Sequence, residues 1–222
     1  MYDGIELCQT ENVPKNLIGL AVDYLTRYCT GTPVEEAFKI SIRGAFNIRE
    51  YEYAERLLQG ISGLDDTSIT NALRLSGYDV CYRAGSAFYK PVEDIVPDVD
   101  TIANVRTMVN RSLSFIAEYG PIVKDGFTFD GGYTDFVSTG DGDFLTATTL
   151  WDYKVSIAEP TNKHTLQLLM YYIMGMHSVH KEFQSIKILG IFNPRLNKVY
   201  LLEIGKIDPS IIEEVSTEVI GY

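Results

Sequence analysis

An aspartate and a lysine lie two residues apart in the segment LWDYKVS, as Asp152 and Lys154. The segment is predicted to be a strand, so both side chains project from the same face. A carboxylate there can hold a divalent cation, and an ammonium beside it can steady an attacking water or a developing negative charge, which suits phosphodiester hydrolysis. Of the ten lysines, only Lys154 has an acid two positions earlier. The plain alternative is a surface strand with an acid and a lysine on its wet face.

A second carboxylate, Asp135, precedes this pair in the segment YTDFVST, which is predicted to be a strand over 133–139. An aspartate is disfavoured in the middle of a strand unless it has a function. Two carboxylates on adjacent strands would make a hard-cation site of the magnesium type. A tight turn at 141–142 would leave Asp135 and Asp152 about 13 Å apart along the strands. A shared ion therefore requires a looser connection, centred near 143–144.

The elements that must position these residues change in character along the chain. Helices are predicted from the Pro14 region to Gly31, from Thr32-Pro33 onward, and over about 49–59, 67–76, 98–119, 161–178 and 209–220, and strands over 122–130, 133–139, 144–156, 185–193 and 198–206. The predicted fold class is α+β, with a central mixed sheet of about five strands flanked by helices in residues 98–222. Residues 1–97 are predicted to be a helical N-terminal region packed on this core.

Three motifs then occur in order: Gly132-x-x-Asp135, Asp152-x-Lys154 and Gln167-x-x-x-Tyr171. Together they resemble the PD-(D/E)XK nuclease superfamily, in particular its RecB-like exonuclease branch, over roughly residues 100–207. The resemblance implies a restriction-endonuclease-like core. It also implies that Asp135 and Asp152 ligate Mg²⁺ or Mn²⁺ together with the backbone carbonyl of Tyr153. Lys154 would position or activate water, and Gln167 and Tyr171 would support the site or touch the DNA backbone.

The chain departs from this family at two points. Many relatives carry an upstream His or Glu that completes the metal site, and here no His precedes His164. Glu118 is the candidate substitute, with a solvated helix-end acid as the alternative. Some relatives hold an iron–sulfur cluster with four cysteines, which three scattered cysteines cannot do. Lys163 and His164, at the start of a predicted helix, are placed to meet phosphate, because a helix N-terminus favours anions; the alternative is a polar helix end that is simply hydrated.

The charge is unevenly spread. The net charge of −11 argues against indiscriminate binding to a polyanion, yet residues 151–200 hold six Lys/Arg and three acids. No apolar run approaches the ~20 residues that cross a bilayer, and the N-terminus lacks the pattern of a signal peptide. Three cysteines without a framework suit a reducing cytoplasm.

The predicted function is a magnesium-dependent nuclease that hydrolyses DNA, with exonuclease action favoured by the resemblance. DNA is the expected partner and a membrane is not. Because the acidic chain offers no long basic groove, a dimeric or ring-shaped homo-oligomer could build one, and the sequence leaves this open. Two alternatives stand beside it: an inactive nuclease fold that serves as a binding module, and an accessory protein whose function resides in residues 1–100.

Overall fold

Helices dominate the first half of the chain and a five-stranded sheet the second in the computed structural model, which describes residues 3–222. This confirms the predicted α+β class with a mixed sheet. The chain divides into two compact units, with the boundary between Ser114 and Phe115. The sequence placed a boundary earlier, between 97 and 98, at the start of a long helix. The units instead divide within that helix.

The helical unit is built from short helices and one long one. Its α-helices are α1 (Lys15–Cys29), α2 (Val34–Ala37), α3 (Lys39–Asn47), α4 (Tyr51–Gln59), α5 (Asp66–Ser76), α6 (Asp79–Arg83) and the first part of α7 (Val99–Tyr119), with 3-10 turns at Ser86–Phe88 and Val92–Asp94. The helices predicted in this half are confirmed. The segment 78–90, which the sequence left ambiguous, holds α6 and one of the 3-10 turns.

The interior of the helical unit contains one buried acid. Asp79 is 2% exposed and accepts a hydrogen bond of 2.6 Å from the Ser41 hydroxyl and another from Tyr24. Burial raises the pKa of this carboxyl, although its hydrogen-bond donors and Arg83 oppose the shift. Since buried polar groups need partners, these bonds fix α1, α3 and α6 against one another.

The sheet unit begins at Phe115. Its elements are β1 (Lys124–Thr128), β2 (Asp141–Leu145), β3 (Thr149–Tyr153), α8 (Asn162–His177), β4 (Ile188–Asn193), β5 (Lys198–Glu203) and α9 (Pro209–Glu214), followed by a π-helical turn over Val215–Ile220. The strand order is β1-β2-β3-β4-β5, with β3 and β4 parallel and the other neighbours antiparallel. The parallel pair is joined through α8, as a crossover connection requires.

The two faces of the sheet bury different side chains. One face packs with α8, where Leu145, Leu150 and Ile191 share a cluster with Leu168 and Ile173. The other face buries an aromatic cluster at the C-terminal end of α7. There, the ring centre of Phe115 lies 4.1 Å from that of Phe192 in a stacked arrangement. It lies 4.7 Å from that of Trp151 in an edge-to-face arrangement.

Two of the predicted strands are wrong. Residues 133–139 form a loop, in which the Tyr133 hydroxyl donates to the Gly140 carbonyl at 2.8 Å and accepts from the Phe129 N–H at 3.0 Å. The predicted strand 144–156 is in fact the end of β2, a turn at 146–148, and β3. The turn was missed because Thr-Ala-Thr carries none of the usual turn residues and threonine favours strands.

Among residues 3–222, no helix is long and apolar enough to cross a membrane.

The close approach of Trp151 to Gly190 gives a test of this packing. A Cβ added to Gly190 would lie 2.4 Å from Trp151 Cε3, whereas one added to Gly205 would have nothing within 4 Å. We expect Gly190→Ala to lower the free energy of unfolding by about 1–3 kcal/mol through overpacking. Gly205→Ala is the matched control. Urea unfolding followed by the fluorescence of Trp151, the only tryptophan, measures both, and equal midpoints for the two variants would contradict this packing.

Candidate active site

Asp152 is the buried acid of the sheet unit. It lies on β3, is 5% exposed, and its Oδ1 is 3.0 Å from Lys154 Nζ. Its second oxygen, Oδ2, is buried without a hydrogen-bond partner among the described residues. Burial raises the pKa of this carboxyl, and the charge and hydrogen bond of Lys154, with a smaller effect of His164, oppose the shift without cancelling it. A buried carboxylate oxygen without a donor is costly unless something else supplies positive charge.

Asp143, on β2, is the carboxylate that the sheet brings to Asp152. Phe144 pairs with Trp151 in the β2–β3 ladder, so continuing that register by one residue sets Asp143 beside Asp152. Cross-strand partners project from the same face of a sheet. The ladder ends there, because Asp143 Oδ2 accepts the Tyr153 N–H at 2.7 Å in place of a backbone carbonyl.

The end of this ladder also orients the Tyr153 backbone. The β3–β4 ladder continues through Tyr153, and the next N–H, of Lys154, donates to the Phe192 carbonyl at 2.9 Å. The N–H and C=O of one strand residue point to the same side. Since the Tyr153 N–H points towards Asp143 on β2, the Tyr153 carbonyl lies on the same edge of β3, facing β2.

Lys154, Gln167 and Tyr171 form a chain of contacts beside the carboxylates. Lys154 Nζ lies 3.5 Å from Gln167 Oε1, a long hydrogen bond, and Gln167 Nε2 donates to the Tyr171 hydroxyl at 3.2 Å. Gln167 and Tyr171 are one turn apart on α8, so one helix face presents both. Burial raises the pKa of Tyr171, with further contributions from Asp143, Asp152 and Asp141. The tyrosine hydroxyl therefore lies within the field of these acids.

The N-terminus of α8 carries the two residues expected to meet phosphate. His164 Nδ1 accepts the backbone N–H of Thr161 at 2.9 Å, the reciprocal bond of a capping box, in which the third residue is usually Glu or Gln. His164 is half-buried and close enough to Asp152 to affect the pKa of that carboxyl. Lys163 is exposed at the same helix end.

Two predicted ligands lie elsewhere in the structure. Asp135, expected in mid-strand, is exposed in the 133–139 loop, outside every strand. Glu118 is exposed near the end of α7, beside Tyr119, on the helix that covers the sheet face opposite to the α8 cluster. Its expected part in the site is therefore not supported by its position.

Asp143 was missed although the sequence carried a signal for it. Gly140-x-x-Asp143 repeats the spacing of Gly132-x-x-Asp135, and it lies closer to Asp152 in the chain. The predicted strand over 133–139 contained Asp135, so the sequence pattern indicated Asp135 as the second carboxylate. The turn at 146–148, once recognised, would have paired Asp143 with Asp152.

The donors in this site suit a hard cation. Within residues 3–222, no group of three or more His, Cys, Asp or Glu side chains is arranged to hold a metal ion. Two carboxylates and a backbone carbonyl are instead three oxygen donors, and magnesium commonly takes few protein ligands and several waters. The unpartnered Oδ2 of Asp152 is the atom that such an ion would satisfy.

Comparison of this chain with protein-family models, with curated proteins and with solved structures gives no match.

Removing the buried charge of Asp152 gives a test in the absence of metal. The folded pKa of this carboxyl is raised, so its ionised form destabilises the fold at neutral pH, and this cost disappears as the pH falls below the unfolded pKa of about 3.9. We expect Asp152→Asn to raise the melting temperature in EDTA at pH 7 by a few degrees, for a relief of about 1 kcal/mol.

The same comparison at pH 4 should show a smaller difference, because lowering the pH towards the unfolded pKa protonates the wild-type carboxyl and removes part of the cost of its buried charge. Asp135→Asn, at an exposed position, serves as the control and should change the melting temperature little. A fall in melting temperature for Asp152→Asn at pH 7 would contradict the uncompensated charge.

Proposed function

We propose that this protein is a metal-dependent nuclease that hydrolyses phosphodiester bonds of DNA. One observation supports the proposal above the others: Asp152, buried with one oxygen unpartnered, has Lys154 Nζ 3.0 Å from its other oxygen and Asp143 beside it. A structural ion pair would not need the second acid or the vacant oxygen. The resemblance to the PD-(D/E)XK superfamily then rests on Asp143, Asp152, Lys154, Gln167 and Tyr171.

Each side chain has a distinct task in this proposal. Asp143 and Asp152, with the Tyr153 carbonyl, would hold Mg²⁺ or Mn²⁺, which polarises a phosphate and lowers the pKa of water. Lys154 donates from a fixed ammonium and stabilises negative charge on the attacking oxygen or on the phosphate. Gln167 restrains that ammonium through its Oε1 and is itself held by Tyr171. The chain therefore contributes position and charge around a buried carboxylate, where electrostatic interactions are stronger than in water.

The substrate is proposed from charge and from the resemblance. Residues 151–200 are the basic stretch of an otherwise acidic chain, and they include Lys154, Lys163 and His164 at the site. DNA contact centred on this stretch would bring its phosphates to the part of the chain with a local excess of positive charge. The Gln167-x-x-x-Tyr171 motif favours exonuclease action, since it is typical of the exonuclease branch.

Titration with Mn²⁺ tests whether Asp143 or Asp135 is the carboxylate that binds the ion together with Asp152. We expect calorimetry to show specific Mn²⁺ binding by the wild type, weakened at least about tenfold by Asp143→Asn and by Asp152→Asn, because each removes one of two carboxylates. Asp135→Asn is the matched control and should bind like the wild type. Loss of binding with Asp135→Asn alone would restore the ligand pair expected from sequence. If the wild type releases or absorbs no heat of Mn²⁺ binding, a binding module with a nuclease fold would be favoured.

Cleavage assays test the role of Lys154. We expect linear DNA to be degraded with Mg²⁺ or Mn²⁺, and Lys154→Met to lower kcat by about 10²- to 10⁴-fold while Mn²⁺ binding is retained. Lys187→Met removes a positive charge from the same stretch at the other end of β4 and should leave the rate within about twofold. Circular DNA that persists while linear DNA disappears would support exonuclease action. Equal degradation by wild type and Lys154→Met would assign the activity to a contaminant and refute the proposal.

A further inference from the structure

A groove on the helical unit combines exposed aromatic rings with arginines. It has a volume of about 800 Å³ and lies where α3 ends and α4 begins. We call it the aromatic–arginine groove and define it by Phe46, Arg49, Tyr51, Tyr53 and Arg56. Nothing in the proposed active site involves these residues.

The rings of this groove are unusually open to solvent. Phe46 is 70% exposed and Tyr51 is 41% exposed, although burial of such rings normally stabilises a fold. The guanidinium of Arg56 lies over the Tyr53 ring, 5.4 Å from its centre. On the adjoining surface of α3 and α6, Arg43 covers the ring of Tyr82 at 5.9 Å in the same way. Each guanidinium thus lies over an aromatic face at a distance typical of a cation–π contact.

Arg49 occupies a backbone position that favours glycine. Helix α3 ends in a Schellman motif, since the Glu50 N–H bonds the Ala45 carbonyl at 2.9 Å and the Arg49 N–H bonds the Phe46 carbonyl at 3.1 Å. In this motif the residue after the C-cap adopts the left-handed conformation. That residue is Arg49, with φ 66°. Any side chain there costs roughly 1–2 kcal/mol that glycine avoids. The fold alone therefore does not explain the arginine.

The charges of the groove leave its arginines available to a ligand. Within residues 3–222, Arg43, Arg49 and Arg56 form no ion pair with a carboxylate. Glu50 in the groove already accepts hydrogen bonds from the hydroxyls of Tyr78 and Tyr89, at 2.8 and 2.7 Å.

Glu52 is an exposed acid at the groove and opposes an anionic ligand. Its neutralisation should consequently strengthen the binding of an anion.

We propose that the aromatic–arginine groove binds single-stranded nucleic acid. Aromatic rings stack on bases of any sequence, and guanidinium groups pair with phosphates and stack on bases as well. In a duplex the bases already stack on one another, so the groove should select unpaired strands. This binding is separate from cleavage and does not require the carboxylates of the sheet unit.

Fluorescence anisotropy of a labelled 15-nucleotide oligo(dT), measured with the full chain in EDTA, tests the groove without cleavage. We expect Phe46→Ala to weaken binding about 5- to 20-fold through the loss of one stacking platform, and Arg49→Gly to weaken it by a similar factor. The matched controls in the same unit are Phe88→Ala, at a ring 69% exposed, and Lys15→Ala, at an exposed lysine. Both should bind within about twofold of the wild type. Glu52→Gln should bind more tightly.

The melting temperature distinguishes loss of a contact from loss of the fold. Arg49→Gly relieves a left-handed arginine, so it should melt at or above the wild-type temperature while binding less well. If Phe46→Ala and Arg49→Gly bind oligo(dT) as well as the wild type, the groove is not the site. If unlabelled duplex DNA or poly-glutamate displaces the oligonucleotide at equal phosphate or carboxylate concentration, the groove recognises charge alone, and the proposal is overturned.

Discussion

The register of the β2–β3 hairpin is the constraint on which the site depends. Trp151 anchors this register, because its ring lies close to Gly190 and packs edge-to-face with Phe115, and its Nε1–H donates to the Thr146 hydroxyl at 3.0 Å. A slip of one residue would turn every side chain of the strand to the other face. Asp152 would then enter the aromatic cluster, and Asp143 would lose its place beside it.

The acid that this register buries is kept at a cost to stability. Asp152 has a lysine on one oxygen and, among residues 3–222, no hydrogen-bond partner on the other, and burial holds its pKa above the ordinary value. Perturbed ionisable groups also occur in structural networks, but those networks satisfy their atoms. An acid that remains partly unsatisfied beside a second acid is more readily explained by an ion that both would hold.

The two units carry different kinds of chemistry. The sheet unit gathers two carboxylates, an ammonium and a glutamine side-chain amide where the pairing of β2 with β3 ends. The helical unit instead presents rings and guanidinium groups in the aromatic–arginine groove, on a surface formed by short helices. A chain with a net charge of −11 can meet a polyanion only where its arginines and lysines are locally unopposed. Both proposed sites combine such cations with acids, namely Lys154 with Asp152 in the first and Arg49 and Arg56 with Glu52 in the second.

The sequence by itself determined the elements whose signals are local. Amphipathic spacing and Pro and Gly boundaries placed most of the helices, and the two-residue and four-residue spacings placed Asp152 with Lys154 and Gln167 with Tyr171 on common faces. The partner of Asp152 was decided only by the tertiary structure. Asp135 and Asp143 follow glycines at the same spacing, and local propensity placed Asp135, rather than Asp143, on the strand that pairs with β3. The choice depends on the hydrogen bonds of Tyr133 within the 133–139 loop, which are local but carry no propensity signal, and on the packing of Trp151 against Gly190, which lies far along the chain.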